Sequence, residues 1–302
     1  QAVKHNNFSL FGNYISDKIE AHAFINTGSV KNAENGGITD ELFVTHPDSV
    51  QQSFTARDIP VKFTNTWNSL KNNRFFLSGR YNLGYVDTPA DSLHKGTGEF
   101  VPVASVGFSS QYTQQYRRFL SYDTAQVNID GVDMQRIDQF YPNRYYEGAV
   151  DDSIRFNSLK NTVSISMREG FKEWVKFGLT VFLEHDLRNY SMKDSVGPGM
   201  MKHRENAVTA GGVLSKQQGE NLLFNIRADL GLLGANLGEF RVMGDAETGF
   251  DIAGKRTTLS AHAYIKNLKP KYLEENYYSK YFRWNHSFGD IRRVYVGGKL
   301  HI

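Results

Sequence analysis

The sequence contains no cysteine. That excludes disulfide scaffolds, thiolate zinc sites and cysteine nucleophiles together. It also lacks a charge excess. Lys and Arg number 35 against 32 Asp and Glu, a net +3 over 302 residues, and so weak a field does not gather nucleic acid. No apolar run approaches the ~18 residues of a membrane-spanning helix. Residues Gln1 to His5 lead into polar sequence rather than an apolar core, so no signal peptide is visible and the chain is expected to be mature or part of something longer.

What is present is aromatic and glycine-rich: 21 Phe, 16 Tyr, 3 Trp and 27 Gly, with only 40% apolar residues. That mixture suits neither a helical bundle nor a disordered chain. The mean hydropathy of −0.48 ordinarily means a soluble protein. A β-barrel that turns every second residue into lipid escapes that inference.

A two-residue period dominates. Val175, Phe177, Leu179, Val181 and Leu183 alternate with Lys176, Gly178, Thr180, Phe182 and Glu184. Phe224, Ile226 and Leu230 alternate with Asn225, Arg227 and Asp229. Phe240, Val242 and Phe250 share a face, opposite Arg241, Asp245, Glu247 and Asp251. Leu259 and Ile265 oppose Ser260, His262 and Lys266, and Val294, Val296 and Leu300 oppose Arg293 and Lys299. Helical winding would scatter these charges through the apolar face. As strands they give one face for hydrocarbon and one for water, at lengths beyond the ~9–11 residues a tilted strand needs to cross a bilayer.

Twelve spanning strands are expected, at 7–16, 18–27, 74–86, 99–112, 154–168, 173–185, 206–217, 220–232, 237–252, 255–266, 279–288 and 291–302. The piece 60–67 also alternates, but Pro60 opens it and it is too short to span, so it is assigned to the first long loop. Short connections then alternate with long ones near 28–72, 117–153, 186–205 and 267–279, as in outer-membrane barrels with short periplasmic turns and long extracellular loops. This parity sets 87–98 with the short turns and 233–236 with the long loops. Tyr141, Tyr145, Tyr146, Tyr190, Tyr277, Tyr278, Tyr281, Phe282 and Trp284 fall near strand ends and are expected to form interfacial girdles.

The fold class is therefore all-β, an antiparallel transmembrane β-barrel forming one domain over 1–302. The expected lipid-facing set is Val175, Phe177, Leu179, Val181, Leu183, Phe224, Ile226, Leu230, Val242, Phe250, Leu259, Ile265, Val294, Val296 and Leu300. The expected pore-lining set is Lys176, Glu184, Arg227, Asp229, Arg241, Asp245, Glu247, Asp251, His262, Lys266, Arg293 and Lys299. Both signs of charge occur in it, so no solute preference follows.

Segments Glu34 to Asp40, Arg80 to Tyr85, and Ser158 to Thr162 followed by Glu169-Gly170, Trp174 and Phe177-Gly178-Leu179 together resemble the "putative porin" family of outer-membrane β-barrels of the Bacteroidota. The resemblance runs from about residue 8 to the end. It implies a Gram-negative outer-membrane location and a diffusion or transport role, with no known substrate. Members of that family are longer, so the resemblance makes this chain part of a larger barrel.

Catalytic chemistry is not expected. Ser260 and His262 share a face two residues apart, but a hydrolytic pair needs an orienting third group that the sequence does not identify. Gly211-Gly212 lacks a phosphate-loop lysine pattern and is expected to relieve crowding in the wall. Met200-Met201 after Gly197-Pro198-Gly199 is expected to pack within a loop. The nine histidines have no recognised ligand spacing, and Glu34, Asp40, Glu41 and Asp48 lack the ladder of a Ca²⁺ loop. No cofactor or metal is expected. The expected partners are outer-membrane lipids, small polar solutes, and a lipoprotein or further copies of the chain. The alternative function is a barrel scaffold that presents its external loops to a protein partner without transport.

Overall fold

The computed structural model describes residues 3–50, 55–87, 98–123, 126–172, 175–193, 199–219, 222–252 and 254–301. Fifteen strands form: β1 (Val3–Ile15), β2 (Ile19–Glu34), β3 (Thr66–Asp87), β4 (Glu99–Ser121), β5 (Gln126–Ile129), β6 (Val132–Gln135), β7 (Asp151–Met167), β8 (Gly178–Lys193), β9 (Met200–Lys216), β10 (Leu222–Gly234), β11 (Phe240–Ile252), β12 (Lys255–Leu268), β13 (Asn276–Tyr278), β14 (Arg283–Asn285) and β15 (Ile291–His301). Eleven of them make one antiparallel sheet in the order β1-β2-β3-β4-β7-β8-β9-β10-β11-β12-β15. The small hairpins β5-β6 and β13-β14 lie within connections. Among the described residues β1 pairs only with β2 and β15 only with β12, so the sheet is not closed.

Neighbours in this sheet are nearly all neighbours in sequence, the meander of a barrel wall. Connections at one end are residues 35–65, 122–150, 194–199, 235–239 and 269–290; at the other they are 16–18, 88–98, 168–177, 217–221 and 253–254. The first set forms the long-loop end, the second the turn end. Residues 235–239 fall at the long-loop end, as the parity requires. The expectation for 87–98 lies outside the described residues except at Asp87 and Gly98.

Two expectations need correction. Residues 279–288 do not span; they belong to the connection 269–290, with the short helix α1 (Tyr272–Glu275) and the β13-β14 hairpin. The expected loop 186–205 is mostly strand, because β8 runs to Lys193 and β9 starts at Met200. The same overrun occurs in β2, β3 and β4, whose ends Gly28–Glu34, Thr66–Asn73 and Thr113–Ser121 extend beyond the expected strands. These extensions are rich in Asn, Gln, Ser, Lys and Arg. The hydropathy period fades there, while backbone pairing continues from Glu34 opposite Thr66 and from Thr66 opposite Ser121.

The apolar rows are not packed against a second layer. Val181 is 49% exposed and Val296 77%, and Leu77, Val163, Ile165, Leu183, Ile226, Leu230, Val242, Leu259, Ile265 and Val294 are likewise exposed. The sheet register sets these residues on one face, here the outer face, for example Val163-Leu183-Ala210-Leu230 across β7 to β10. The cluster of buried apolar residues is built elsewhere, from the loop residues Phe63, Ile137, Val150 and Tyr281.

Candidate functional site

Along the stretch of the apolar rows, the inner face of the sheet carries ionisable groups that lie one residue out of phase with the exposed aliphatics. Lys160 on β7 meets Glu184 on β8 at 2.9 Å. Arg227 on β10 donates to Asp229 at 3.1 Å and lies 4.6 Å from the Phe182 ring. Arg241 on β11 bridges Asp229 at 3.5 Å and Glu239 at 3.1 Å. Asp245 and His262 Nδ1 are 2.5 Å apart, and Ser260 donates to Glu247 at 3.1 Å. Lys266 caps the Tyr264 ring at 4.2 Å, and Arg293 lies opposite Lys266. Lys299 lies opposite Ser260, and Asp251 opposite Arg256.

Eleven of the twelve expected pore-lining residues thus stand on strands of the sheet, in register on one face. Lys176 does not. It belongs to the connection 168–177, because β8 starts at Gly178, five residues later than the sequence pattern gives. Val175 moves with it: it is only 5% exposed, its N–H donates to Lys172 O, and it faces no lipid. Phe177 is exposed just before β8. Residues 173–174, where the expected strand begins, lie outside the described residues, as do Gly197-Pro198 and Ile302.

Further inner-face ions escape a reading by period. Asp186 accepts from Ser158 at 2.6 Å and from Arg188 at 2.8 Å, and Arg188 reaches Glu205 at 3.6 Å. All three sit on strand extensions. Glu20 gathers Arg80 at 3.5 Å, Arg168 at 3.6 Å and the Asn82 amide at 3.0 Å near the turn end. The alternation that places Leu77 outward places Arg80 inward, so this cluster was legible.

Ser260 and His262 do not form a nucleophile–base pair. Each faces its own carboxylate on β11, and the Ser260 hydroxyl is donated to Glu247.

Three connections pack together into a cap at the long-loop end. Connection 269–290 leaves β12, where Lys269 N–H donates to Glu239 at 3.0 Å. Tyr272 then stacks on His203 of β9 at 3.8 Å between centroids and lies 5.1 Å from Tyr190 of β8. Lys280 ends at β7 and connection 122–150. Its ammonium contacts Asp138 at 2.8 Å and donates to Gly148 O at 2.7 Å, and its backbone N–H donates to Asp152. The segment therefore tracks from β12 across β9 and β8 to β7. Tyr281 donates to Asp138 at 2.8 Å and stacks on Tyr141 at 3.9 Å, and Tyr141 stacks on Phe63 of connection 35–65. Lys280 is 1% exposed and Asp138 2.8 Å away has a side chain 4% exposed, so the pair is dry. Arg144 adds a second cation at 3.6 Å from Asp138. Burial first, then the bond to Asp138 and its charge, push the Tyr281 phenol well above its usual range. Burial likewise raises Tyr146, which donates to Asp152.

The interfacial girdle is corrected accordingly. Tyr190 and Tyr281 are buried and Tyr141 is sandwiched in the cap, while Trp284 stacks on Tyr277 at 4.3 Å. Tyr145 and Phe282 stay exposed.

A family model described as "Putative porin" matches residues 1–302. No curated protein and no solved structure matches the chain.

Proposed function

The chain belongs to the "Putative porin" family, and from that membership we propose that it is an outer-membrane channel through which small polar solutes diffuse passively. One observation carries the reading. The outer faces of strands from β1 to β15 expose aliphatic rows, while the inner face of the same strands pairs Asp, Glu, Arg, Lys and His. Apolar patches of that extent have no stable place in water, since each Å² left exposed forfeits ~25 cal/mol. Hydrocarbon outside and water inside satisfy both faces at once.

Mechanism follows from the inner face. Paired ions form a wet wall without net preference, so size and local field govern passage. The three-loop cap at the mouth narrows the path at its external end. No covalent step is involved, and the Ser260 bond to Glu247 supports a non-catalytic role. Outer-membrane lipids are the surrounding partner, and further copies of the chain or a lipoprotein are the protein partners this reading allows. Purified, folded protein in planar bilayers tests it: discrete ion steps are expected, and a folded preparation without steps defeats it.

A second reading is favoured by the cap itself. Loops locked by a dry ion pair present a rigid external surface, which suits a scaffold for a protein partner. Stoichiometric capture of one partner by a non-conducting barrel selects that reading instead.

A further inference from the structure

The strand extensions at the long-loop end carry an unbalanced charge on the outer face. Above the apolar rows, the outward positions of β1 to β9 hold Lys4, Lys31, Lys71, Arg118, Arg155, Lys193, Lys202 and Arg204. Asp151 is the acid of that belt, and Arg118 takes it in a two-pronged contact at 2.6 and 2.7 Å. Several cations rest on rings: Lys31 on Trp67 at 4.4 Å, Arg155 on Tyr116 at 5.1 Å and Lys193 on Tyr146 at 4.4 Å.

The belt is deepest on β7, β8 and β9. Arg155, Ser191 and Lys202 are consecutive partners across these strands, and Asn157, Asn189 and Arg204 form the next row. They line a groove of about 420 Å³. Arg155 and Lys202 are two strands apart, hence roughly 10 Å. Among the described residues none of Arg155, Lys202 and Arg204 has a carboxylate within 4 Å. One row further down, Leu159 pairs with Leu187; the polar pair Asn161–His185 follows, and Val163 pairs with Leu183 four residues on. A cationic, amide-lined groove directly above an aliphatic wall matches one kind of molecule: an anionic headgroup joined to acyl chains.

We propose that Arg155, Lys202 and Arg204 bind the phosphate of a phosphorylated lipid in the leaflet around the long-loop end, with its acyl chains lying on Leu159, Leu187, Val163 and Leu183. The proposal rests on the membrane-channel reading above and adds a specific lipid contact to it. The charged groups hold the headgroup at the level of the strand extensions, and the rows below fix its orientation. Free phosphate lacks the second contact and binds weakly.

The test uses the whole folded chain in a neutral, phosphate-free detergent, with dioleoyl phosphatidic acid as the probe and native mass spectrometry as the readout. Dioleoylglycerol has the same chains without the phosphate, and inorganic phosphate the reverse. Phosphatidic acid is expected to remain bound, and the triple variant Arg155→Gln, Lys202→Gln, Arg204→Gln is expected to bind it at least tenfold more weakly. Circular dichroism and heat-modifiable gel mobility certify that the variant is folded; if it is not, Arg204→Gln alone is measured and a loss of threefold or more is expected. Equal binding of dioleoylglycerol, equal binding by the folded variant, or inorganic phosphate competing as well as the lipid overturns the proposal. Conductance of the parent preparation is read separately, so failure of the channel reading is distinguishable from failure of the lipid site.

Discussion

At the residue scale, the group with most at stake is Lys280. It is buried against Asp138 and donates to Gly148 O. Removing one partner of a buried pair strands the other charge, at a cost of ~3–5 kcal/mol. Lys280→Ala is therefore expected to open the cap while leaving the wall intact. Limited proteolysis would then cut within 122–150 or 269–290 with heat-modifiable gel mobility unchanged; a cap as resistant as the parent's contradicts this. Tyr281 gives the pH dependence. Its phenol is raised by burial, then by Asp138, whereas in an opened cap it titrates near ~10. Above that pH the opened state loses a proton that the closed state keeps, so closure is complete below about pH 9 and weakens as pH rises past it. Tyr281→Phe removes the hydrogen bond and reduces that alkaline loss, while the Tyr141 and Tyr146 phenols, also raised by burial, retain part of it. Cap proteolysis followed against pH measures both, and a parent profile flat to about pH 11 counts against the assignment. None of these residues was legible in sequence as a lock. Asp138 and Lys280 are 142 positions apart, and the local pattern of neither segment points to the other.

At the element scale, what was legible followed from local periodicity. Phe240–Ile252 and Lys255–Leu268 alternate along almost their whole length, and the pattern places Arg241, Asp245 and Glu247 inward together. Val175 and Lys176 were misassigned because the alternation continues backwards into a turn, where Gly170 N–H donates to Val175 O. Residues 279–288 alternate too, but the Tyr277–Trp284 stack and the burial of Lys280 turn them into a hairpin of the cap. Strand ends at 113–121 and 186–193 escape for the opposite reason: polar residues break the apolar row there, as Gln114 and Arg118 flank Tyr116 and Asn189 and Ser191 follow Leu187. Gly211 bears out the expected relief of crowding. A Cβ there meets the Phe182 ring and the Asp229 side chain. Gly211→Val is expected to destabilise the wall by about 1–3 kcal/mol, as overpacking does, and to displace Arg227 from Phe182. A lowered unfolding midpoint in detergent checks it, and an unchanged midpoint contradicts it. Gly212 has only ordinary room, with Thr180 O at 3.4 Å, so Gly212→Ala is expected to be the milder variant.

At the scale of the whole molecule, the wall and the cap are separable. The wall has aliphatic rows on one face and paired ions on the other, whereas the cap has its own buried cluster of Phe63, Ile137, Val150 and Tyr281. Freeing the cap by Lys280→Ala is expected to raise single-channel conductance at least twofold if the mouth limits passage; equal conductance would assign the narrowest point to the inner face. The central claim, hydrocarbon on one face and water on the other, is tested most directly by exploiting the absence of cysteine. Single cysteines are introduced at successive positions of β8, from Leu179→Cys to Glu184→Cys, and the proteoliposomes are exposed to a membrane-impermeant thiol reagent. Protection is expected for Leu179→Cys, Val181→Cys and Leu183→Cys, and labelling for Thr180→Cys, Phe182→Cys and Glu184→Cys. Uniform labelling along the strand, or protection without a two-residue period, would contradict it.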